Sequence, residues 1–207
     1  MKTNELIHED FKRCVDFHGH ICGGLAIGYR AAQEGLLWLK EHRALDEELV
    51  TIVENDACGV DAVQVLTGCT FGKGNFIYRD YGKMAFTFFS RKTGKGVRMA
   101  PVDRGFAPDP EQKALFEKVR SNTATDEDRK TLSELGRKKA EAILESPLEK
   151  LFKITPAQVP IPEKARIHPS ILCDRCHEPT METRLENIDG QKICRGCQEQ
   201  GAQHLNN

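Results

Sequence analysis

Asp16-Phe17-His18-Gly19-His20-Ile21-Cys22-Gly23-Gly24 is the stretch around which the rest of this chain is organised. It places two histidines and a cysteine within five positions, and an apolar pattern of helical spacing begins directly behind them. We therefore predict that Cys22 lies at or near the N-terminus of a helix. Unpaired backbone amides and the positive end of the helix dipole favour a thiolate, or a metal-bound thiolate, at such a position.

The helix predicted behind this stretch covers about residues 20–42, and a shorter helix over residues 4–17 precedes it. Gly24, Gly28 and Ala32 form a stripe of small side chains along the longer helix. Glycine lowers the stability of a helix interior by about 1 kcal/mol relative to alanine. The stripe therefore predicts that this helix packs closely against the backbone of a sheet or another helix.

A second cysteine, Cys58, follows the first predicted strand. Residues 49–54 are rich in β-branched side chains, which is typical of a buried strand. The strand leads into Cys58 and then into a helical pattern over residues 60–66, so this cysteine also lies at the start of a helix. The glycine-rich loop beyond that helix carries Cys69 and Lys73.

Three further strands and two helices are predicted in the middle of the chain. The strand-like runs are 76–80, 84–91 and 96–102, and the turn residues between them favour a β-meander. Asp109-Pro110 begins a helix that ends near residue 120, and Thr125 with Asp128 forms a capping box for another that ends near residue 145. Both helices are charged and amphipathic, which is typical of outer helices, and neither carries a catalytic signature.

Prolines separate the last quarter of the chain from the rest. A segment rich in proline is stiff and extended, and four prolines fall close together here, namely Pro156, Pro160, Pro162 and Pro169. We therefore expect a core domain over residues 1–155, a proline-rich linker over 156–170 and a small domain over 171–207.

Four cysteines of the C-terminal segment have the spacing of a zinc site. The C-x-x-C pairs are separated by seventeen residues, which is typical of four-thiolate coordination by Cys173, Cys176, Cys194 and Cys197. About 40 residues bury too little apolar surface to fold alone, so the metal would supply the stability. The run Cys173-Asp174-Arg175-Cys176-His177 also matches the C-x-x-C-H pattern of haem attachment, and its cysteine pair matches a thioredoxin-type dithiol. Haem attachment requires export and leaves the second pair unexplained, and a dithiol requires a preceding strand rather than a proline-rich linker.

The composition bears on partners and on the cellular compartment. The 207 residues carry a formal net charge of -1, and the segment from residue 166 onward has five basic and six acidic residues. Phosphate binding needs a positive surface, so a nucleic-acid partner is disfavoured. The first ten residues lack the apolar centre of an export signal, and no run approaches the ~18–20 apolar residues of a membrane span. We expect a cytoplasmic protein whose eight cysteines are metal ligands or reactive thiols rather than disulfides.

His18, His20, Cys22 and Cys58 are the candidates for a second metal or redox site, which Cys69 could join. Residues at i and i+2 of an extended segment point to the same side, so His18 and His20 could act together. One or two histidines with two cysteines form a zinc-like set with room for an exogenous ligand, as in catalytic sites.

The sequence gives weaker support for a functional role of other polar residues near these cysteines. The loop over residues 72–75 could present backbone amides and the Lys73 ammonium group to an anionic substrate. Asp56 and Asp61 flank Cys58 and could orient ligands or act as bases. A solvated loop or a helix cap is the alternative for each. Cys14 lies within a predicted helix, and we interpret it as a small buried hydrophobic residue.

Two long motifs resemble those of the family named after the E subunit of formylmethanofuran dehydrogenase. They are F-H-G-H-I-C-G-G-L-A-I-G-Y-R-A-A, from Phe17, and E-N-D-A-C-G-V-D-A-V-Q-V-L-T-G-C-T-F-G-K-G-N, from Glu54. The closing L-F-K-I-T-P is also similar, and the match covers residues 5–155. The resemblance implies an α+β, thioredoxin-like core with a mixed five-stranded sheet flanked by helices. It also implies that residues 171–200 form a treble-clef zinc finger.

The resemblance further implies a metal-binding active site in the core. Carried over to this sequence, its residues are His18, His20, Cys22 and Cys58, with Cys69 and Lys73 lining the cleft. The family name implies a link to the molybdenum or tungsten enzyme that fixes carbon dioxide as a formyl group on methanofuran in methanogenesis. This chain has no recognisable molybdopterin-binding residues and lacks the many cysteines of an iron–sulfur protein.

Two hypotheses for function follow. In the first, the protein is a metal- or thiol-dependent accessory protein or enzyme of one-carbon or redox metabolism. Its core cleft binds a zinc-like ion through His20, Cys22 and Cys58, with His18 as ligand or proton carrier, together with a small anionic substrate. In the second, it is a non-catalytic docking subunit whose zinc finger braces a homodimer or a partner enzyme, such as a formylmethanofuran dehydrogenase complex. The sequence leaves open whether the protein is an enzyme.

Overall fold

The computed structural model describes residues 9–102 and 110–203 of the chain. Two compact units are present, over residues 1–164 and 165–207. No helix among the described residues combines the length and the apolar character that a bilayer crossing demands.

The first unit contains six helices and five strands among its described residues. In chain order they are α1 (Glu9–His18), α2 (Gly23–Leu39), β1 (Leu49–Val53), α3 (Gly59–Thr67), β2 (Phe76–Tyr78), β3 (Phe86–Ser90), β4 (Gly96–Pro101), α4 (Pro110–Arg120), α5 (Asp126–Glu145), α6 (Leu148–Leu151) and β5 (Phe152–Pro156). The strands form one sheet in the order β2-β1-β3-β4-β5. Only β1 and β2 are parallel, and the other neighbours are antiparallel. The predicted α+β core with a mixed five-stranded sheet is therefore confirmed.

The predicted β-meander is wrong in its first strand. The strand β2 pairs with β1 in parallel and not with β3, because α3 serves as the crossover that parallel pairing requires. The turn after β2 carries the chain past the end of β1, where the amides of Tyr81 and Lys83 donate to the carbonyl of Glu54. The central position in the sheet thus belongs to β1, with β2 on one side and the β3–β4 hairpin on the other.

Both faces of the central strand are buried. Leu49 and Val53 belong to the apolar core beneath the helices, whereas Val50 and Ile52 pack with Phe89 on the opposite face of the sheet. Phe86 and Phe88 of β3 lie on the helix side. The aromatic side chains of β3 are therefore divided between two covered faces of the sheet.

The small side chains of α2 allow it to pack directly on α3. A Cβ atom added at Gly28 would lie 2.0 Å from the carbonyl oxygen of Gly59, and one added at Gly59 would lie 2.9 Å from the carbonyl oxygen of Gly24. The two helices thus touch through their backbones, which confirms the close approach predicted from the glycine stripe. Because the contact involves the first turns of both helices, it brings their N-termini together.

The long helix α5 is fastened to α2 at two places. The guanidinium of Arg30 donates to the carbonyls of Ile143, Leu144 and Ser146 at 2.9, 2.6 and 2.9 Å, which supplies donors to carbonyl groups at the end of α5. About two helical turns before that end, a Cβ atom at Gly136 would lie 3.4 Å from the carbonyl of Ile21. The helix α5 therefore crosses the start of α2.

Local contacts join α4 to α5. Thr125 and Asp128 form the predicted capping box at the start of α5. Lys118 of α4 pairs with Asp128 at 2.6 Å, and this pairing, together with the Thr125 hydrogen bonds, lowers the pKa of Asp128 to about 2. The two helices form an antiparallel hairpin, although the predicted helix start at Asp109 lies outside the described residues, as do residues 4–8 of the predicted first helix.

The second unit consists of two hairpins and a helix. Its elements are β6 (Ser170–Leu172), β7 (Pro179–Met181), a 3-10 turn (Glu182–Arg184), β8 (Leu185–Ile188), β9 (Gln191–Cys194) and α7 (Arg195–Gln203). The turn Asp189-Gly190 joins β8 to β9, and both residues have the positive φ of a two-residue hairpin loop. A cysteine knuckle, a hairpin and a helix in this order form the treble-clef arrangement.

We predict that Gly28→Ala destabilises the first unit by about 1–3 kcal/mol. Alanine favours a helix by about 1 kcal/mol over glycine, but here its Cβ overlaps a backbone carbonyl that no side-chain rotation can move aside. Urea unfolding followed through the fluorescence of Trp38, the single tryptophan and a residue of α2, measures the change. Gly72→Ala is the control, because a Cβ atom there meets no atom within 4 Å. Equal stability of the two variants would show that the helices are not in backbone contact.

Candidate metal and thiol site

Cys22 caps the N-terminus of α2, as the sequence predicts. Its Sγ accepts a hydrogen bond from the amide of Leu25 at 3.3 Å, and the side chain is half-buried. A hydrogen bond from the Cys58 thiol is the largest cause that lowers the pKa of Cys22, and the amides of Leu25 and Gly24 add to it against the effect of burial. The pKa of Cys22 falls to about 6, so this thiol is a thiolate at neutral pH.

Cys58 lies at the start of α3 and faces Cys22 across Gly24. A Cβ atom at Gly24 would lie 3.7 Å from the Sγ of Cys58 and 3.8 Å from the Sγ of Cys22, so the missing side chain leaves room for both sulfur atoms. Both residues are free thiols. The hydrogen bond to Cys22, burial and the charge of the Cys22 thiolate raise the pKa of Cys58. The pair therefore shares one proton, which stays on Cys58.

Asp61 orients His18 toward the two sulfur atoms. The Nδ1–H of His18 donates to the Oδ2 of Asp61 at 2.7 Å, which leaves Nε2 facing the Sγ of Cys22 at 3.9 Å. The His18 side chain is 11% exposed and that of Asp61 is 34% exposed. A carboxylate behind a histidine is the partner that fixes the ring tautomer in many metal sites and in nucleophilic Cys–His pairs.

The two histidines come together by a different route from the one predicted. His18 is the last residue of α1 and not part of an extended segment, and Gly19, with φ of +91°, turns the chain back. The ring centroids of His18 and His20 are then 4.4 Å apart. The predicted pairing of the histidines is met, but a left-handed turn that glycine favours produces it.

The donor atoms of this cluster have the spacing of a metal site. One ligand atom each of His18, His20 and Cys22 lies within 4.8 Å of the others. Tetrahedral zinc with ordinary Zn–N and Zn–S bonds requires ligand separations of about 3.3–3.8 Å, so small side-chain rotations would close the set. Cys58, next to Cys22 and His18, supplies a fourth soft donor. The residues present therefore fit a zinc-like ion.

A pocket of about 740 Å³ opens beside these residues. Cys22, Cys58 and His20 lie on one side, and the α4–α5 hairpin forms the other side with Phe116, Val119, Arg129, Leu132, Ser133, Gly136 and Lys139. The volume lies within the range of about 300–1,000 Å³ that is usual for small-molecule sites. The thiol pair thus borders a space large enough for an organic ligand.

Cys69 and Lys73 lie away from this cluster, which corrects the expectation that they line one cleft with Cys22. They follow the C-terminal end of α3, whereas Cys58 precedes its N-terminal end, and nine helical residues span about 13 Å. Cys69 is fully buried, and the Nζ of Lys73 donates to the carbonyl of Asp46 at 3.0 Å. The reason is topological, because the loop after α3 returns to the beginning of β1 and not to its end.

The remaining predicted residues, Asp56 and Cys14, differ in their exposure to solvent. Asp56 is exposed, and Asp61 rather than Asp56 contacts a site histidine. Cys14 is fully buried, as expected, and burial raises its pKa to about 12. It is an unreactive thiol of the core.

Sequence reasoning missed the α4–α5 side of the pocket. The sequence did contain one signal, the glycine at position 136 in the interior of an otherwise polar helix. A glycine there costs about 1 kcal/mol and is explained by the close contact of Gly136 with Ile21. Leu132, Ser133 and Gly136 follow Arg129 by three, four and seven residues. These spacings place all four residues on one face of the helix.

The four cysteines of the second unit form a separate cluster. The Sγ atoms of Cys173 and Cys197 are 4.0 Å apart, and those of Cys176 and Cys194 are 3.9 Å apart. Tetrahedral zinc with four thiolates places sulfur atoms about 3.8 Å apart. Backbone amides also donate to two of these sulfur atoms, which favours the thiolate form. The cluster fits a zinc ion, and it supports the predicted structural zinc site.

We predict that Cys22 reacts with iodoacetamide at low pH in the full-length protein freed of metal. Because the thiolate is the reactive form, the rate should rise with pH and reach half its maximum near pH 6, against 9.0 for an unperturbed thiol. In Cys58→Ala the largest cause of the lowering is gone, so the midpoint should move to higher pH. Peptide mass spectrometry follows Cys22 separately from the buried Cys69. A midpoint near 9 in the unaltered protein would contradict the thiolate assignment.

Each of the two units matches a model of a known protein family. The family model described as "FmdE, Molybdenum formylmethanofuran dehydrogenase operon" matches residues 17–153, and that of the prokaryotic dksA/traR C4-type zinc finger matches residues 168–200.

Individual proteins are also similar to the chain. A probable S-adenosyl-L-methionine-binding protein of Archaeoglobus fulgidus is 37% identical in an alignment of 194 positions that covers 89% of this chain and 51% of that protein. The chain therefore spans about half the length of that relative. The crystal structure of a tungsten formylmethanofuran dehydrogenase FmdE-like protein from Syntrophus aciditrophicus matches 90% of this chain and 89% of its own, with 25% identity and a TM-score of 0.57. Because the first family model covers more than half of the sequence, the chain belongs to the FmdE family.

Proposed function

We propose that the core of this protein binds an exchangeable zinc-like ion through His20, Cys22 and Cys58, with His18 as a fourth ligand or as a proton carrier. The observation that carries the proposal is the chain of contacts from Asp61 through His18 to Cys22. A structural site is closed by four protein ligands, whereas this cluster borders an open pocket. Such a site serves a reaction or a transfer better than it serves stability.

The protein groups around the site have separate tasks in this proposal. A bound ion would act as a Lewis acid toward a ligand in the pocket. Cys22 supplies a thiolate, since its pKa of about 6 keeps it deprotonated at neutral pH. His18, held by Asp61, can accept or return a proton at Nε2. The α4–α5 hairpin covers the site from one side and limits the access of water.

We further propose that this chemistry belongs to one-carbon or redox metabolism in the cytoplasm, with a small anionic substrate. The description of the family model, which refers to the formylmethanofuran dehydrogenase operon, supports the one-carbon assignment. The ligand in the name of the Archaeoglobus fulgidus relative is not carried over, because this chain spans only half of that protein.

Metal stoichiometry tests the core site. We expect the full-length protein, titrated with Zn²⁺ against a chromogenic chelator, to bind two equivalents. Cys22→Ser and Cys58→Ser should each retain only the equivalent of the finger, whereas Cys176→Ser should retain only that of the core. If Cys22→Ser and Cys58→Ser both still bind two equivalents, the core is not a metal site.

Asp61→Asn refines this test, because it preserves size while it weakens the orientation of His18. Loss of a carboxylate behind a metal-bound histidine lowers metal affinity by about 10–100-fold. Asp56→Asn is the matched control, since Asp56 is exposed and lies in the loop before α3, five residues before Asp61. Equal zinc affinity of the two variants would remove His18 from the set of ligands.

The alternative is a non-catalytic docking subunit whose finger braces a homodimer or a partner such as a molybdenum or tungsten formylmethanofuran dehydrogenase complex. The zinc-finger model over residues 168–200 supports it, since small zinc fingers often serve as contact modules. Purification of the tagged protein from its native host separates the two proposals. A stable stoichiometric complex that forms equally well with Cys22→Ser favours the docking role. A protein recovered alone, with light scattering that gives one or two chains, favours the independent metal site.

A further inference from the structure

The side of the core pocket formed by α4 and α5 combines apolar side chains with two basic residues, Arg129 and Lys139. Phe116 and Val119 are three residues apart on α4, and Leu132 faces the same space from α5. An apolar lining attracts an organic ligand and binds a hydrated inorganic ion poorly, because it offers no hydrogen bonds to replace the water lost. The composition of this side therefore indicates a ligand with an apolar body.

Arg129 supplies the cation at the rim of the pocket. Its guanidinium makes no hydrogen bond or ion pair with any residue that the structure describes. Two other basic residues of the same hairpin form ion pairs within it, Lys118 with Asp128 and Arg120 with Glu117. An unpaired guanidinium beside an apolar pocket offers a planar fork of donors that matches a carboxylate.

The geometry of α5 connects this cation to the thiol–histidine cluster. Arg129 and Gly136 are seven residues apart on one helical face, which corresponds to about 10 Å along the axis. A Cβ atom at Gly136 would lie 4.0 Å from the Cα of Cys22. The pocket thus extends from the Cys22 end of α5 to the Arg129 end, over the length of an organic molecule of moderate size.

We infer that the core pocket binds an amphipathic organic monoanion. Its apolar body packs against Phe116, Val119 and Leu132, and its carboxylate pairs with Arg129 at the rim. The far end of the ligand then lies beside Cys22. A monoanion is the best match because, of the two cationic side chains that line the pocket, Lys139 already has an interaction partner and Arg129 has none among the described residues.

The inference replaces Lys73 as the group that recognises a negative charge. Lys73 is hydrogen-bonded to Asp46 beyond the opposite end of α3, whereas Arg129 faces the pocket directly. The inference rests on the proposed function only where it sets the far end of the ligand beside a metal site. Binding of the carboxylate at Arg129 requires no metal.

Two fluorescent probes test the inference with the full-length protein. Dansylglycine and dansylamide share one aromatic body, but only dansylglycine carries a carboxylate. We expect saturable one-to-one binding of dansylglycine, weakened about tenfold to a hundredfold by Arg129→Gln because a hydrogen-bonded charge pair is lost. The affinity for dansylamide should be the same in both proteins. Arg137→Gln, which removes an equal charge from an exposed position of the same helix, should change neither affinity.

A second pair of variants tests the apolar part of the pocket without removing a core side chain. Ser133→Trp places an indole in the pocket and should abolish the binding of both probes. Glu134→Trp adds the same group at the exposed neighbouring position and should leave both affinities unchanged. Unchanged probe binding by Ser133→Trp would overturn the inference, as would equal dansylglycine affinity in Arg129→Gln and the unaltered protein. Absence of saturable dansylglycine binding up to about 1 mM would overturn it as well.

Cys22→Ser distinguishes this inference from the proposed metal site. Loss of the core zinc equivalent with retained dansylglycine binding supports both. If Cys22→Ser and Cys58→Ser both still bind two equivalents of zinc while Arg129→Gln loses dansylglycine binding, the ligand pocket stands and the metal assignment is removed. If Cys22→Ser loses the core zinc but Arg129→Gln leaves the affinity for dansylglycine unchanged, the metal site stands and the ligand pocket is removed.

Discussion

The backbone contact between α2 and α3 is the constraint on which the candidate site depends. Gly28 and Gly59 meet with no side chain between them, and a Cβ atom at Gly28 would overlap the carbonyl of Gly59. Because this contact lies near the first turns of both helices, it places their N-terminal residues, Cys22 and Cys58, on either side of Gly24. Tight packing and the assembly of the thiol pair therefore have one physical cause.

The electrostatics of the site follow from that arrangement. Helix N-termini present unpaired amides and a partial positive charge, and Cys22 uses both as it caps α2. Once Cys22 is a thiolate, Cys58 keeps its proton and donates to it. His18 then completes the cluster, held in one tautomer by Asp61 from the first turn of the same helix that Cys58 begins. The protonation states of Cys22 and Cys58 thus depend on each other, and the tautomer of His18 depends on Asp61.

The two units are stabilised in different ways. The first has a large apolar core on the helix side of its sheet, and hydrogen bonds from Arg30 of α2 hold the C-terminal end of α5. The second has a small cluster in which cysteines surround Ile193. So little apolar surface cannot stabilise 43 residues, and four thiolates at tetrahedral spacing are suited to supply the difference through a metal.

Features encoded by a few adjacent residues were predictable. The helix starts at Cys22 and Cys58, the capping box at Thr125, the hairpin turn at Asp189-Gly190 and the C-x-x-C pairs all agree with the structure. Each depends on backbone geometry or ligand spacing within a single turn or loop. Local chemistry alone is sufficient to specify such features.

Features that depend on distant contacts were not predictable from one sequence. The position of β2 beside β1 and the separation of Lys73 from Cys22 both result from the crossover through α3. The approach of Arg129 and Leu132 to a cysteine more than a hundred residues earlier results from the packing of α5 on α2. The sequence by itself thus determined the reactive groups and the helix ends that carry them. Only the tertiary structure decided which of these groups share a pocket, because that depends on the packing of whole elements and not on spacing along the chain.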